Sequence, residues 1–413
     1  MFHIGIDDTD SKEAMCTTYL GAMLKDELAE FSDILALKLV RLNPNIEWKT
    51  RGNGSIALVV ETVDEKKAKR VVENSVKENA EFGDKNTNPG IVFFHGEIPE
   101  EFKTFYYKTL HGTVKIREAE DLAATYGAEI RKFKNGRGII GALAAIGSNF
   151  QDHTHEIIAY RAKDRQGEER NVDRASVVKM DKATRPLTHN NVDYKSGRIL
   201  ITPRSHCPVL FGIRGENEDV LKKAFSMVKT EDKIERMAIF DTNQCTDAHL
   251  EDVDKISKVR PFSSVVIRGT VKAPAKRIPG GHVIFSITDD LDEIDCAAYE
   301  PTGDFRDIIN RLMPGDVVRA SGGVKNTVAM TINLEKLEIS NLMDLQKEQN
   351  PVCEVCGKRM KSAGKNQGFR CKRCKTYKEK KEKVKIERNL TKGVYQVPPR
   401  AMRHLSKPLS RLT

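Results

Sequence analysis

Hydrophobic residues recur along this chain with two different periods, and the change of period divides it. HIGI (3–6) is a short apolar run of strand type. Met15, Tyr19, Ala22 and Met23 then recur at helical spacing, with Ser11 offering an N-cap. IALVVET (56–62) predicts a strand, DEKKAKRVVENSVKENAEF a charged helix, and NTNPGIVFF a turn entering another strand. A second stretch of the same texture holds the apolar helix GRGIIGALAAIG and the runs THEIIAYR and RILITPR. It ends in PVLFGIRGENEDVLKKAFSMV, which reads as strand, turn and helix. Strands alternating with helices predict layered α/β or α+β units. From KVRPFSSVVIRGTV (258–271) onward the texture changes to short strands split by turns: VVIRGTV, HVIFSIT, DCAAYE, GDVVRASGGV and AMTINLEKLEI. Such a run predicts a small OB-type barrel, a fold that commonly binds single-stranded nucleic acid. MDLQKEQN (343–350) is polar throughout and reads as a linker.

A chain of 413 residues exceeds a single core, so several domains are expected. It holds no apolar run long enough to span a membrane and no basic-then-apolar leader, which argues against membrane and secreted classes. Cys16, Cys207, Cys245 and Cys296 are scattered singly, which suits a reducing compartment and a cytoplasmic protein. The net charge of +10 is unevenly spread. From residue 351 onward 19 Lys and Arg face 4 Asp and Glu, whereas the preceding residues carry 50 against 55. The basic excess therefore belongs to the tail, where it would attract a polyanion, nucleic acid first; a solvated lysine-rich tail is the bland alternative.

Candidate chemistry concentrates in four places. D-D-T-D puts Asp7, Asp8 and Asp10 on the turn leaving the first strand, just before the pair Thr17 and Thr18. Three carboxylates so close repel one another. Either magnesium beside a nucleotide's phosphates resolves the conflict, or the acids form a solvated turn. In WKTRGNG, Lys49 and Arg51 precede Gly52, Asn53 and Gly54. Cations beside glycines suit phosphate oxygens, although Asn-Gly is equally a hairpin signal and neither standard nucleotide fingerprint is present. KFKNGRG repeats the chemistry with Lys134 and Arg137 ahead of an apolar helix. The strongest signal is Cys353-x-x-Cys356 and, 14 residues on, Cys371-x-x-Cys374, four thiolates able to close a structural zinc site with no open position. His153 and His155 lack a third ligand at suggestive spacing and read as surface or packing residues. Cys207 reads as a buried small hydrophobe.

GIDDTDS, MCTTYL, RLNPNIEWKTRGNG, KNTNPG, GRGIIGALAAIG, CPVLFGIRGE, GGHVIFSI and the two knuckles occur in this order over nearly the whole chain. Together they resemble the archaeal agmatidine synthetases (TiaS), the tRNA-isoleucine 2-agmatinylcytidine synthetase family. The resemblance implies a multidomain α+β protein. Residues 1–125 would form a kinase-like α/β catalytic domain and 126–256 a ferredoxin-like domain, separate from the first or interleaved with it. An OB-fold β-barrel would follow over 257–342, then a zinc ribbon and basic tail over 343–413. It implies an ATP-dependent ligase that phosphorylates C2 of the wobble cytidine in an isoleucine tRNA with a CAU anticodon, then replaces that oxygen with agmatine. It implies autophosphorylation on Thr17 or Thr18, with Thr17 favoured. The cofactors would be ATP, Mg2+ held by Asp7, Asp8 and Asp10, and structural Zn2+. Lys49, Arg51, Gly52, Asn53, Gly54, Lys134 and Arg137 would serve the nucleotide. A non-catalytic RNA-binding protein would explain residues 258–413 equally well but leaves the acids and both Gly loops without a task. A protein kinase founders on the absent kinase motifs.

Overall fold

The computed structural model describes residues 1–326 and 329–412. The first strand, β1 (Phe2–Asp7), leads through the acidic turn into helix α1 (Thr17–Ala29). The helix begins six residues later than Ser11, because the Ser11 hydroxyl instead accepts the amides of Glu13 and Ala14 within the loop. Strands β2 (Asp33–Arg41) and β3 (Gly54–Glu61) form a long-looped hairpin, followed by α2 (Glu65–Asn79) with Asp64 as N-cap. Then come β4 (Gly90–His95), α3 (Glu100–His111), α4 (Ile116–Thr125), β5 (Glu129–Lys132) and α5 (Ile139–Ile146). The next elements are β6 (Thr154–Tyr160), α6 (Arg174–Thr184), β7 (Thr188–His189), a strand at Val209–Gly215, α7 (Glu218–Met227) and a strand at Arg236–Thr242. RILITPR is a strand only at Arg198–Ile199.

All of these main strands join one nine-stranded sheet. Its order is β5-β4-β1-β3-β2, then Arg236–Thr242, β6, Val209–Gly215 and β7. The sheet runs without a break across residue 125. Its two halves meet at a narrow seam, where Arg236–Thr242 runs parallel to β2 over only two positions, Asp241 with Lys38 and Thr242 with Leu39. The side chain of Asn243 extends this seam. Its Oδ1 accepts the Arg41 amide at 2.8 Å and its Nδ2 donates to the Arg41 carbonyl at 2.8 Å, imitating one more peptide unit. Asn243 is fully buried and also donates to the Tyr106 hydroxyl.

Close approach of α5 to the sheet needs small residues. A Cβ on Gly141 would lie 1.9 Å from Asp7 Oδ2, and one on Gly5 would lie 2.1 Å from the Ala142 carbonyl. Gly141 is thus what lets the Asp7 carboxylate lie against α5. Apolar residues on either face of the first half-sheet form two cores, one under α1 and α2, the other under α3 and α5. A third core lies under α6 and α7.

The expected barrel is present. Strands Ser264–Val271, Val317–Asn326, Met330–Asn341, Glu293–Ala298 and His282–Thr288 pair in that order, and Thr270–Thr288 and Val271–Ile287 pairs close the ring. Val283, Phe285 and Ile287 show the period-two burial that a filled barrel requires. The polar stretch expected as a linker instead contains a strand, Gln346–Gln349, paired antiparallel with Glu382–Lys385. Backbone pairing between segments so far apart in the chain is invisible to local polarity.

The tail is a larger correction. Gly393–Gln396 adds a strand to the barrel, and the chain then crosses back to the N-terminal sheet. The Cys245, Thr246 and Asp247 amides donate to the His404 and Leu405 carbonyls. Arg400 pairs with Asp193, Arg403 with Glu335, Lys407 with Asp152, and Arg411 with both Asp152 and Glu216. Arg388 likewise neutralises the buried Asp316. These cations are spent on carboxylates of the protein itself, so the charge count overstates the surface the tail presents to a polyanion.

Asn243→Ala would strand the Arg41 N–H and C=O and remove a partner from Tyr106. The expected loss is about 3 kcal/mol, read from the urea midpoint of the N-terminal sheet. A change under about 1 kcal/mol would mean that water replaces the side chain at the seam.

Candidate active site

A cleft of about 320 Å³ opens at the seam between the two half-sheets. Asp7, Asp8, Asp10, Thr17 and Thr18 line it from the β1–α1 segment. Lys49, Arg51, Gly52, Asn53 and Gly54 line it from the β2–β3 loop, and Arg137 from the entry to α5. Lys134 is not brought to the cleft. Its ammonium bonds the Asp84 carbonyl on the outer side of the loop.

Each acid has its own environment. Asp7 is enclosed by α5, and burial, reinforced by the charge of Asp8, pushes its carboxyl up to about 7. Asp8 occupies a left-handed conformation, φ 59°, which turns its carboxylate towards Arg137 at 3.0 Å. Burial still raises its pKa, with Arg137 pulling the other way. Asp10 is held by Arg51, whose Nε donates at 3.1 Å, and by the Thr50 hydroxyl at 2.9 Å. Among the described residues, the three carboxylates do not converge as one ligand set. The physical reason is that two of them are already neutralised by arginines.

Thr17 and Thr18 open α1, with Cys16 as N-cap, and both are buried in the cleft wall. The Thr9 hydroxyl donates to Thr17 Oγ1 at 3.1 Å, and Thr18 Oγ1 lies 3.0 Å from Cys16 Sγ. Asn53 has a positive φ of 48° and bonds back to the Asn43 carbonyl, so the Gly loop is a bent hairpin connection whose backbone faces the cleft. Cys207 is buried in the opposite wall. His155 bonds Asp241 at 2.9 Å, which raises its pKa, and it packs edge-on against His153.

Several cleft residues gave no signal in the sequence. Glu156, on β6, accepts from Arg214 Nε at 3.2 Å and from Gln244 Nε2 at 2.5 Å, while Arg41 Nε donates to Gln244 Oε1. This Arg41–Gln244–Glu156–Arg214 chain draws on β2, β6, the strand Val209–Gly215 and the segment that follows a fourth strand, Arg236–Thr242. No local motif could announce it. His404, from the tail, completes the wall.

Cys353, Cys356, Cys371 and Cys374 place their sulfurs within 4.8 Å of one another, as a tetrahedral zinc site requires. Hydrogen bonding from Thr376 and from turn amides holds the Cys353 thiol down to about 6, favouring the thiolate a metal needs. Among the described residues, only Met360 and Phe369 pack with these cysteines, so the metal carries the ribbon's stability. A strong chelator is expected to abolish hydrogen-exchange protection over residues 350–385 while leaving the barrel and the nine-stranded sheet protected. Retained protection would show that the ribbon holds itself without zinc.

The Asp7 environment gives a pH prediction. The folded state keeps the proton that the unfolded chain loses near pH 3.8, so stability falls as pH rises from about 4 to about 7 and is level above that. Asp7→Asn removes the charge, so its gain in Tm over the native protein should be small at pH 5 and larger at pH 8. A gain independent of pH would show that Asp7 is not titrating in this window.

The comparisons with known proteins agree with this organisation. Residues 3–69 match the TiaS TCKD domain, 136–249 the TiaS FLD domain, 265–340 the OB-fold nucleic acid binding domain and 350–390 the TiaS C-terminal zinc ribbon domain. The chain is 46% identical to TiaS of Methanosarcina mazei, a 2-agmatinylcytidine synthetase acting on an isoleucine tRNA, with 99% of this chain and 97% of that protein covered. It superposes on the crystal structure of apo TiaS with a TM-score of 0.92 at 43% identity, covering 99% and 97% of the two chains. On a crystal structure of TiaS in complex with its isoleucine tRNA, AMPCPP and agmatine the TM-score is 0.87 at 40% identity, again covering 99% and 97%. With zinc-ribbon cysteines, barrel and cleft residues all in their expected order, the chain belongs to the TiaS family of isoleucine-tRNA 2-agmatinylcytidine synthetases.

Proposed function

We infer that this protein is the ATP-dependent ligase that converts the wobble cytidine of an isoleucine tRNA with a CAU anticodon into agmatidine. It works in the cytoplasm. The observation that carries this reading is the single cleft in which the acids, the threonine pair and the cations meet beside the OB-fold. The γ-phosphoryl group of ATP passes to the C2 oxygen of cytosine. The agmatine amine then forms the C2–N bond, and the C2–O bond breaks as phosphate leaves with that oxygen. A carbonyl oxygen is a poor leaving group and a phosphate ester a good one, which is why the reaction consumes ATP.

Phosphoryl transfer needs alignment and charge neutralisation more than covalent help. Asp7 and Asp8 are the residues that would hold magnesium, which when bound offsets charge on the nucleotide's phosphates. With Asp7 poised near 7, cation binding would draw its proton off. Arg137, released from Asp8, and the backbone of Gly52–Gly54 would face the phosphate oxygens. Asp10 serves here as a positioning residue that fixes Arg51. Thr17, at the first position of α1, is the preferred acceptor for autophosphorylation, since a phosphate there would meet the free amides of the helix start. The first two family domains act as one catalytic unit around the seam, and the barrel and ribbon grip the tRNA.

The test is to incubate the protein with ATP, agmatine and a CAU-anticodon tRNA transcript, then weigh the nucleosides. Agmatidine should form only when all three are present; product without ATP, or none at all, would sink the reading. Thr17→Ala should lose label from γ-labelled ATP, and Thr18→Ala should keep it. The reverse pattern would move the acceptor to Thr18.

A further inference from the structure

Beside the catalytic cleft lies a second cavity of about 310 Å³, set between the β2–β3 loop, the barrel and the returning tail. The two cavities share a wall that includes Arg41, Lys49, Arg51, Gly52 and His404. The barrel contributes Lys325 and Asn333, and the tail Arg403. Among the described residues, no carboxylate lines this cavity, in contrast to the cleft with its acids. Among the described residues Lys49 donates only to the Ile46 carbonyl, at 3.0 Å, and the Lys325 ammonium sits 5.6 Å from the Tyr299 ring. Neither ammonium has an anionic partner among the described residues. Burial, with Arg403 and Lys325 as like-charged neighbours, lowers the pKa of Lys49, as expected of a cation cluster that lacks its anion.

His404 sits at the join. Its Nδ1 accepts from Arg214 Nη2 at 2.9 Å, which leaves the ring proton on Nε2. Arg41, burial and Arg214 keep it neutral. The Nε2–H lies against Gly52, where a Cβ would stand 3.1 Å from it. It is a donor with no protein acceptor among the described residues. A neutral donor among arginines suits an oxygen of an anion.

We propose that the second cavity seats a backbone phosphate of the RNA strand whose base is delivered into the cleft, with the unpaired ammonium groups of Lys49 and Lys325 around it, Arg403 beside them while it also pairs with Glu335, and His404 at the shared wall. The proposal rests on the ligase reading above. RNA is favoured over the nucleotide's own phosphates because Lys325 and Asn333 belong to the OB-fold, on the side away from the acids. A strand leaving the barrel would pass this cavity before its base could reach the cleft. The Asn43 and Asn45 side chains fix the geometry by bonding the backbone at Phe262 and Ser263 ahead of the barrel.

The test uses the full-length protein and a CAU-anticodon tRNA transcript across a salt series. Trp48, the single tryptophan, is exposed at the cleft and reports binding by its fluorescence. Lys325→Gln should lower the magnitude of the slope of log K against log salt by roughly 0.7 to 0.9, with the KM for ATP unchanged. Lys325 is exposed, so the variant should melt with the native protein. An unchanged slope would overturn the proposal. So would a raised KM for ATP, which would place the nucleotide's phosphates in this cavity. Failure of the native protein to make agmatidine is a separate result, and it would overturn the ligase reading and not the phosphate seat.

Discussion

The Asn243 side chain, imitating a peptide against Arg41, is the interaction on which the rest of this structure depends. Two half-sheets share only two paired positions, too few to fix their relative orientation by backbone bonding alone. One buried amide continues the ladder and hands over directly to Gln244, which orients Glu156 and Arg41 in the cleft. Buried polar groups of this kind are costly unless every partner is present.

Within the cleft, charge is balanced pair by pair. Arg137 answers Asp8, Arg51 answers Asp10, and Asp7 is left as a carboxyl that burial keeps near neutrality of charge. Two of the three acids of the cleft are thus balanced by cations of the protein itself. Positive φ at Asp8, Met15 and Asn53 places local strain in the same few loops, as is common where side chains must be aimed.

The OB-fold is attached by side chains instead of a shared sheet. Asn43 and Asn45 reach it from the β2–β3 loop, and Glu335 on the barrel is enclosed by His249, Arg403 and Ser406. Burial would raise this carboxyl, but its three partners hold it down to about 2. The tail thus fastens the barrel to the nine-stranded sheet and delivers His404 to the cleft in the same few residues. That arrangement joins the OB-fold to the residues that line the cleft.

What the sequence by itself determined is local. The barrel strands follow from period-two alternation, α2 and α5 from apolar spacing, and the metal ligands from two C-x-x-C knuckles whose spacing closes a tetrahedron. The acidic turn, the threonine pair and the Gly loop were legible as candidates because each lies within a few residues of chain, and all three line the cleft. Tertiary structure decided which of these charges are free. Arg51 reads as a phosphate clamp beside its glycines, yet its guanidinium binds Asp10, 41 residues away. Lys134 reads like Arg137 but faces outward, because the left-handed residue at 134 turns it to the Asp84 carbonyl. The tail's surplus charge reads as a polyanion site, yet several of its arginines neutralise carboxylates hundreds of residues distant. Burying a carboxylate demands a cation from wherever the fold brings one, and no local pattern encodes which cation that will be.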